Sequence, residues 1–385
     1  MNLALSDEQT LLREAARGAL SRHKTLEAAR DALDGRGELP DLWATARDAG
    51  WPGLLISESH GGAGLDAFDA MLVMQECGRV LAAIPLLGHL PASSLLNDSS
   101  LDDQLLQELS AGDRRAAYLP CKPPDDLQPA WTVDPASGAT RAPLPTATGG
   151  GSRDGANAGE QVQVSGSFHF VPDAPGADVL VGVATHGHEI VGFTLDTSSD
   201  GVRIEPVSRY DATRSLGHVQ LHRARATLLD AGAASLAATW HLAQALIAAE
   251  SIGAVESALE VSVAYAKERF TFGRAIGSYQ AVKHALTEVL RQQENGRSLL
   301  YYAGWAREGS SEEFALAANA ARSVAGRALD HAARTMISVH GGIGATWEHD
   351  APLYFRRAQL SRRLLGGTAA ASDRVASELI ASASA

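Results

Sequence analysis

The stretch Glu268-Arg-Phe-Thr-Phe-Gly-Arg-Ala-Ile-Gly-Ser-Tyr-Gln280 decides how this chain is read. It closes a run beginning at Ala233 that is apolar nearly all round, the pattern of a helix buried on several sides. Arg269 beside Thr271, Phe272 and Gly273 suits an anion: a guanidinium makes paired bonds to phosphate while an aromatic packs on a flat ring. From composition alone the commoner use of such residues is a charged helix end with aromatics closing a core. Farther on stands His340-Gly-Gly-Ile-Gly344. Gly341 and Gly342 would let a ligand approach the backbone, with N–H groups facing phosphate. They would also serve as a helix C-cap and tight turn. No strand precedes them, as a dinucleotide-binding glycine fingerprint requires.

Working outward, proline divides the chain. Nine of its fifteen prolines lie between Pro120 and Pro175, and none lies between Pro206 and Pro352. Helix interiors reject proline and loops accept it, so the contrast marks different architectures. Residues 1–115 read as an N-terminal helical domain. Ser6 and Gln9 have capping-box spacing, 41–49 reads as a short helix, His60–Gly64 as a turn and 69–81 as an amphipathic helix. Residues 116–228 read as a central β domain. Val162, Val164, Phe168 and Phe170 alternate with polar residues, and runs at 179–183, 190–195, 202–206 and 218–221 follow. Short strands without intervening helices predict an antiparallel barrel or sandwich. The Gly- and Ser-rich segment 146–159 reads as an exposed loop. Residues 229–385 read as a helical bundle, with helices over 233–269, 279–308, 311–339 and 346–365.

Composition excludes several function classes. The chain has 385 residues and a net charge of −12, with no basic run to suit nucleic acid. The start is short and acidic, unlike a signal peptide, and no uncharged apolar stretch is long enough for a membrane span. Cys77 and Cys121 are the two cysteines; a disulfide framework is not expected, and a reducing cytoplasm fits. His and Cys show no metal-ligand spacing. The thirteen histidines accompany no Gly-x-Ser-x-Gly elbow, which argues against a hydrolase.

Taken jointly, in order and at this distance, the motifs resemble those of the flavin-dependent acyl-CoA dehydrogenases. Tyr265–His284 and Val339–Asp350 carry the resemblance most specifically, and Ile56–Gly64 with Glu76–Arg79 more weakly. It covers nearly the whole chain. Trp347-Glu-His-Asp350 is similar to the actinobacterial branch that acts on steroid and other bulky acyl-CoA thioesters. The resemblance implies an α+β multidomain fold: N-terminal helices, a β domain and a C-terminal four-helix bundle. It implies FAD as cofactor, with Arg269, Thr271, Phe272, Gln280, Gly341 and Gly342 at its adenine-diphosphate end. These contacts typically serve a flavin seated in the neighbouring subunit, so an oligomer is implied, a dimer or tetramer with a copy of itself or a related chain. The implied activity is α,β-dehydrogenation of an acyl-CoA.

The sequence departs from the family pattern where the chemistry happens. In many members a glutamate just before a Gly-Thr removes the α-proton. Here that segment is Arg362-Arg-Leu-Leu-Gly-Gly-Thr368, and the position falls on Leu365 or Gly366. Other members carry the base on the first helix of the bundle. The candidate is Glu250, among Leu236, Trp240, Ala243, Ile247, Ala254, Ala258, Val261 and Tyr265, where a carboxylate is costly to ionise. The alternative is a Glu paired with an Arg of a neighbouring helix. The hydroxyl-bearing segments that touch the flavin ring in the family read 117–124 and Ser165–Pro172 here, and Ser338 replaces a common Gln. Asp211-Ala-Thr-Arg214 reads as a turn with a local Asp–Arg pair. The arm for a neighbour's flavin is thus mostly present, while the base and this chain's own ring pocket are not evident. Three functions stay open: a dehydrogenase or one non-catalytic subunit of it, a scaffolding subunit without chemistry, or an oxygen-using acyl-CoA oxidase relative.

Overall fold

The computed structural model describes residues 4–99, 102–120, 144–149, 157–208, 210–307 and 309–384. Expectations resting on Cys121, on residues 122–124 and on 150–156 lie outside the described residues.

The first third is helical: α1 (Asp7–Ser21), α2 (Thr25–Leu33), α3 (Trp43–Asp48), α4 (Ala67–Arg79), α5 (Leu86–Ser99) and α6 (Asp103–Ala111). Ser6 caps α1 as expected: its hydroxyl accepts from the Gln9 amide and the Gln9 side chain accepts from the Ser6 amide. Helix α5 was not anticipated. It is buried on every side and contains Pro91, so it shows neither an apolar stripe nor an unbroken helical pattern.

Seven strands follow: β1 (Ala116–Tyr118), β2 (Thr146–Thr148), β3 (Gln161–Pro172), β4 (Val179–His186), β5 (Glu189–Asp196), β6 (Val202–Pro206) and β7 (Leu216–Leu228). β4 pairs with β2, β2 with β3, β3 with β7, β7 with β5, and β5 returns to β4, so the sheet closes into a barrel. β1 and β2 run parallel to β4, unlike the antiparallel expectation. Residues 146–148, expected in a loop, form β2. Phe168, Phe193, Val219 and Leu180 fill the barrel.

The remainder is α7 (Ala233–Glu268), a hairpin of β8 (Phe270–Thr271) and β9 (Arg274–Ala275), α8 (Gln280–Ala306), α9 (Ser311–His340), α10 (Ala351–Ser361) and α11 (Gly367–Ser384). The helix expected over 346–365 is shorter, and its end is a turn that leads into α11. Helices α4 and α7 touch backbone to backbone. A Cβ on Gly78 would lie 1.9 Å from the Glu250 carbonyl oxygen, and one on Gly253 would lie 1.8 Å from that of Gln75. The largest apolar cluster accordingly joins Leu20, Trp51, Met71 and Leu90 of the first helices to Val181 of the barrel and Leu246, Ile247 and Phe314 of the bundle. Among the described residues no helix is long and apolar enough to cross a membrane.

Candidate functional site

The hairpin after α7 is an exposed two-stranded element. Phe272 and Gly273 form its two-residue turn with φ of +50° and +78°, the left-handed pair that matches strand twist. Glycine takes that conformation freely, whereas an aromatic there is uncommon. Phe272 is 94% exposed and Phe270 62%. The base of the hairpin is braced. The Tyr279 hydroxyl donates to the Thr271 carbonyl at 3.0 Å, the Ile276 amide donates to the Arg269 carbonyl at 2.8 Å, and the Arg274 guanidinium lies 3.9 Å from the Tyr279 ring centroid. Arg269 is the C-cap of α7 and Gln280 opens α8. Arg269, Thr271, Phe272 and Gln280 are all exposed in the single chain.

The glycine cluster stands at the same end of the bundle. Tyr265, one turn before Arg269, stacks on His340 with ring centroids 4.3 Å apart, and His340 in turn meets His349 at 4.1 Å. His340 is buried, and its Nδ1–H donates to the Met336 carbonyl at 2.7 Å. Tyr265 and His340 therefore bring the two motifs together within one protomer. Gly341 caps α9 with φ +64°, and its amide donates to the carbonyls of Ile337 and Ser338. That amide is thus used by the helix end and does not face a phosphate. Nothing lies within 4 Å of where a Cβ would stand on Gly341 or Gly342. The face is open to a ligand or a second chain. A guanidinium, a hydroxyl, a carboxamide and an aromatic tip beside an open glycine backbone form a donor set that fits an adenine diphosphate.

The turn at the expected base position is closed by the Gly367 amide on the Leu364 carbonyl at 2.9 Å and carries no acid. Leu365, Gly366 and Gly367 are consecutive left-handed residues, with φ of +50°, +80° and +75°. Gln244 of α7 donates to the Leu365 carbonyl at 2.9 Å. Arg322 of α9, fully buried, donates to the carbonyls of Ser361 and Leu364 at 2.5 and 3.2 Å.

Glu250 takes the paired alternative rather than that of a free base. One carboxylate oxygen accepts from Arg357 at 2.6 Å and the other from Arg214. All three side chains are at most 5% exposed. Arg357 also binds Asp211 at 2.9 Å and the carbonyl and hydroxyl of Thr213 at 2.7 and 2.6 Å. Burial would raise the Asp211 carboxyl, but Arg357 and Thr213 outweigh it and hold the group below its usual range. The local Asp211–Arg214 pair does not form, because each residue pairs with the helical bundle instead. Each oxygen of Glu250 is thus engaged by a guanidinium inside a buried junction, the arrangement of a structural ion pair.

The strand expected over a flavin ring ends in an irregular segment. Its register with β7 shifts between Phe168 and Val171, and Phe170 has φ +55°. The Phe170 ring packs edge-on against His218, and His169 and His218 face each other with Nδ1 atoms 3.2 Å apart. Pro172 offers no N–H. The residues from Phe168 to Pro172 therefore supply no hydroxyl to a ring there.

One arrangement escaped sequence reasoning. His60 joins Ser57 and Asp103, with Nδ1 2.7 Å from the Ser57 hydroxyl and Nε2 3.0 Å from the Asp103 carboxylate. The amides around Ser57 that might stabilise an oxyanion are already used: Ser57 donates to Asn97, Gly61 to Glu58 and Gly62 to Ser57. The trio fastens the 57–64 loop to α6. Among the described residues no group of three or more His, Cys, Asp or Glu side chains is placed to hold a metal.

Comparison with known proteins gives one answer. The acyl-CoA dehydrogenase N-terminal domain matches residues 6–100 and the acyl-CoA dehydrogenase C-terminal domain matches residues 230–380. The chain is 32% identical over 376 residues to acyl-CoA dehydrogenase IpdE2 of Mycobacterium tuberculosis, covering 97% of this chain and 98% of that protein. Among solved structures it is similar to a variant of the Tcur3481–Tcur3483 steroid ACAD, with a TM-score of 0.84 at 27% identity over 98% of this chain and 99% of that one. The ChsE4–ChsE5 complex of Mycobacterium tuberculosis shares the fold, with a TM-score of 0.83 at 24% identity over 99% of both chains. Two family models that together match most of the chain, and a relative at 32% identity covered almost end to end, lead to one conclusion: the chain belongs to the acyl-CoA dehydrogenase family.

Proposed function

We propose that this chain is the cofactor-completing subunit of a heteromeric, FAD-dependent acyl-CoA dehydrogenase, and that a second, related chain supplies the catalytic base. The observation that carries this reading is the absence of a free carboxylate where one is needed. The Leu364–Gly367 turn has no ionisable side chain, and both oxygens of Glu250 are held by guanidinium groups.

The other half of the reading is what this chain offers a partner. Arg269, Thr271 and Gln280 would bind the diphosphate and adenine end of FAD, with Phe272 packing on a flat ring and Gly341 and Gly342 leaving room. All of them are exposed in the single chain, which suits a cofactor seated against a neighbour. Bound FAD would accept the β-hydride of an acyl-CoA thioester. This chain's part is to hold and orient the cofactor and to exclude water from its phosphate end. The steroid ACAD and ChsE4–ChsE5 neighbours, named as two-component assemblies, support a heteromer and a bulky acyl group. The division at residues 115 and 228 enters the same reading: helical segments at both ends, with the β domain between them.

The test is purification of the chain alone and together with a related acyl-CoA dehydrogenase subunit, followed by a visible spectrum and dye reduction with an acyl-CoA. The chain alone should be colourless and inactive, and the pair yellow and active. A yellow homomer that turns over an acyl-CoA would sink the proposal. Reduction of dyes but not of oxygen separates a dehydrogenase from an oxidase.

A further inference from the structure

The arm after α7 has two faces. Phe270 pairs with Ala275, and Thr271 with Arg274, across the β8–β9 ribbon. Successive side chains of a strand point to opposite sides, so Phe270 and Ala275 share one face and Thr271 and Arg274 the other. The Thr271 face is the one given to the cofactor above, and there the Arg274 guanidinium lies over the Tyr279 ring. Phe270 lies on the opposite face. It is 62% exposed in the protomer and has no part in that site.

The charge around the arm runs against that of the chain. The whole sequence carries 33 Lys and Arg against 45 Asp and Glu. Between Lys267 and His284 stand Lys267, Arg269, Arg274 and Lys283 against Glu268, four less one, a local charge of +3. All five of these residues are exposed. Among the described residues none of the four cations forms an ion pair, whereas exposed arginines of α8 and α9 take carboxylates, Arg291 with Glu288 and Arg334 with Asp330. Arg269 goes to the diphosphate in the reading above. Lys267 and Lys283, at the end of α7 and in the first turn of α8, remain without a counter-charge.

An exposed aromatic flanked by cations has the make-up of an interface centre with a charged rim. The ribbon is also held in place beforehand, by the Tyr279 hydroxyl on the Thr271 carbonyl and the Ile276 amide on the Arg269 carbonyl, so little ordering is lost on binding.

We propose that the Phe270 face of the arm docks the related acyl-CoA dehydrogenase chain: Phe270 seats in an apolar pocket of that chain, and Lys267 and Lys283 meet an acidic rim around it. This rests on the two-chain reading above and adds the surface that selects the partner. A second copy on the arm would leave both chains without a free acid, since each has the Leu364–Gly367 turn and a Glu250 held by Arg214 and Arg357. Apolar area removed from water sets how slowly the pair comes apart, and unlike charges set how fast it forms.

The experiment measures binding kinetics and sedimentation of the full chain with the related subunit that makes it yellow, with FAD in excess throughout. Phe270→Ala should raise the Kd of the pair about 30-fold, mainly through faster dissociation, as truncation of a buried aromatic anchor does. The Tm of the single chain should not change, and the pair that still forms at high concentration should stay yellow. Lys267→Glu combined with Lys283→Glu should slow association about tenfold at low salt and flatten its salt dependence, with dissociation unchanged. A wild-type pair that forms while Phe270→Ala binds as tightly overturns the docking face and leaves the cofactor reading standing. Association that ignores both salt and the charge reversal overturns the acidic rim in the same way. If Phe270→Ala lowers the Tm of the single chain, the two surface lysines decide. A homodimer that comes apart in Phe270→Ala puts a second copy on the arm and overturns the choice of partner. Absence of any pair, or a yellow and active homomer, ends the two-chain reading and this proposal with it.

Discussion

Replacing Glu250 by glutamine separates a structural carboxylate from a catalytic one. In the wild-type chain the group compensates two guanidinium ions, Arg214 and Arg357, at the junction of α7, α10 and the loop before β7. Glutamine keeps the shape and one acceptor, but leaves two buried cations to share Asp211. Removing one partner of a buried ion pair costs about 3–5 kcal/mol, and the retained acceptor places this variant near the lower end, about 3 kcal/mol. The entropy of unfolding is about 2.1 cal/mol/K per residue, so 385 residues unfolding as one unit give about 0.8 kcal/mol/K and a fall in Tm of roughly 4 °C. Removing Arg214 as well should recover part of the loss, because the excess positive charge goes with it. The assay is thermal unfolding by circular dichroism, read beside dye reduction by the assembled enzyme at a temperature where both proteins are folded. We expect a clear drop in Tm and retained turnover. An unchanged Tm with turnover abolished would mean that Glu250 takes the proton, and the assignment of its role would be wrong.

Other outcomes follow from the same geometry. Phe272→Ala should leave the Tm of the protomer unchanged, since the side chain is 94% exposed there, yet weaken flavin retention by up to about tenfold, the worth of one aromatic stack; thermal unfolding of the single chain reads the first arm and equilibrium dialysis of the assembled protein the second. Arg269→Ala should lose about 10- to 100-fold in FAD affinity, as expected for charge-assisted bonds of about 1.5–3 kcal/mol, and an unchanged affinity argues against the phosphate role. Gly78→Ala places a methyl 1.9 Å from the Glu250 carbonyl oxygen, so α4 and α7 must separate; a loss of about 1–3 kcal/mol or more should appear in the urea midpoint. On the acid side, burial lowers His89 to about 4 and His241 to about 3 from 6.5. Their contribution is full above pH 6.5 and is lost as pH falls toward 4. His89→Gln should therefore flatten the urea midpoint between pH 6.5 and 4, and an equally steep profile refutes the assignment.

The helices over 233–269 and 311–339 were legible because long, proline-free apolar runs leave few alternatives. Capping of α1 by Ser6 was legible because it is decided within four residues. The Phe272–Gly273 tip and the cap at Gly341 also belong to local backbone chemistry. Sequence alone therefore determined where the exposed arm and the glycine turn would stand, and that the acid is missing from Leu364–Gly367.

The rest required three dimensions. Helix α5 was hidden because a segment buried on every side has no periodicity. Strand β2 was hidden because three residues read as a strand only beside β3 and β4. The fate of Glu250 could not be read from its own helix, since Arg214 and Arg357 lie 36 residues before and 107 residues after it. Likewise nothing near Asp173 in the chain foretells that its carboxylate accepts from the Gly88 amide, 85 residues earlier. Hydrophobic periodicity is a property of neighbours along the chain, whereas a carboxyl's charge is set by whatever the fold packs against it, and only the tertiary structure names those groups.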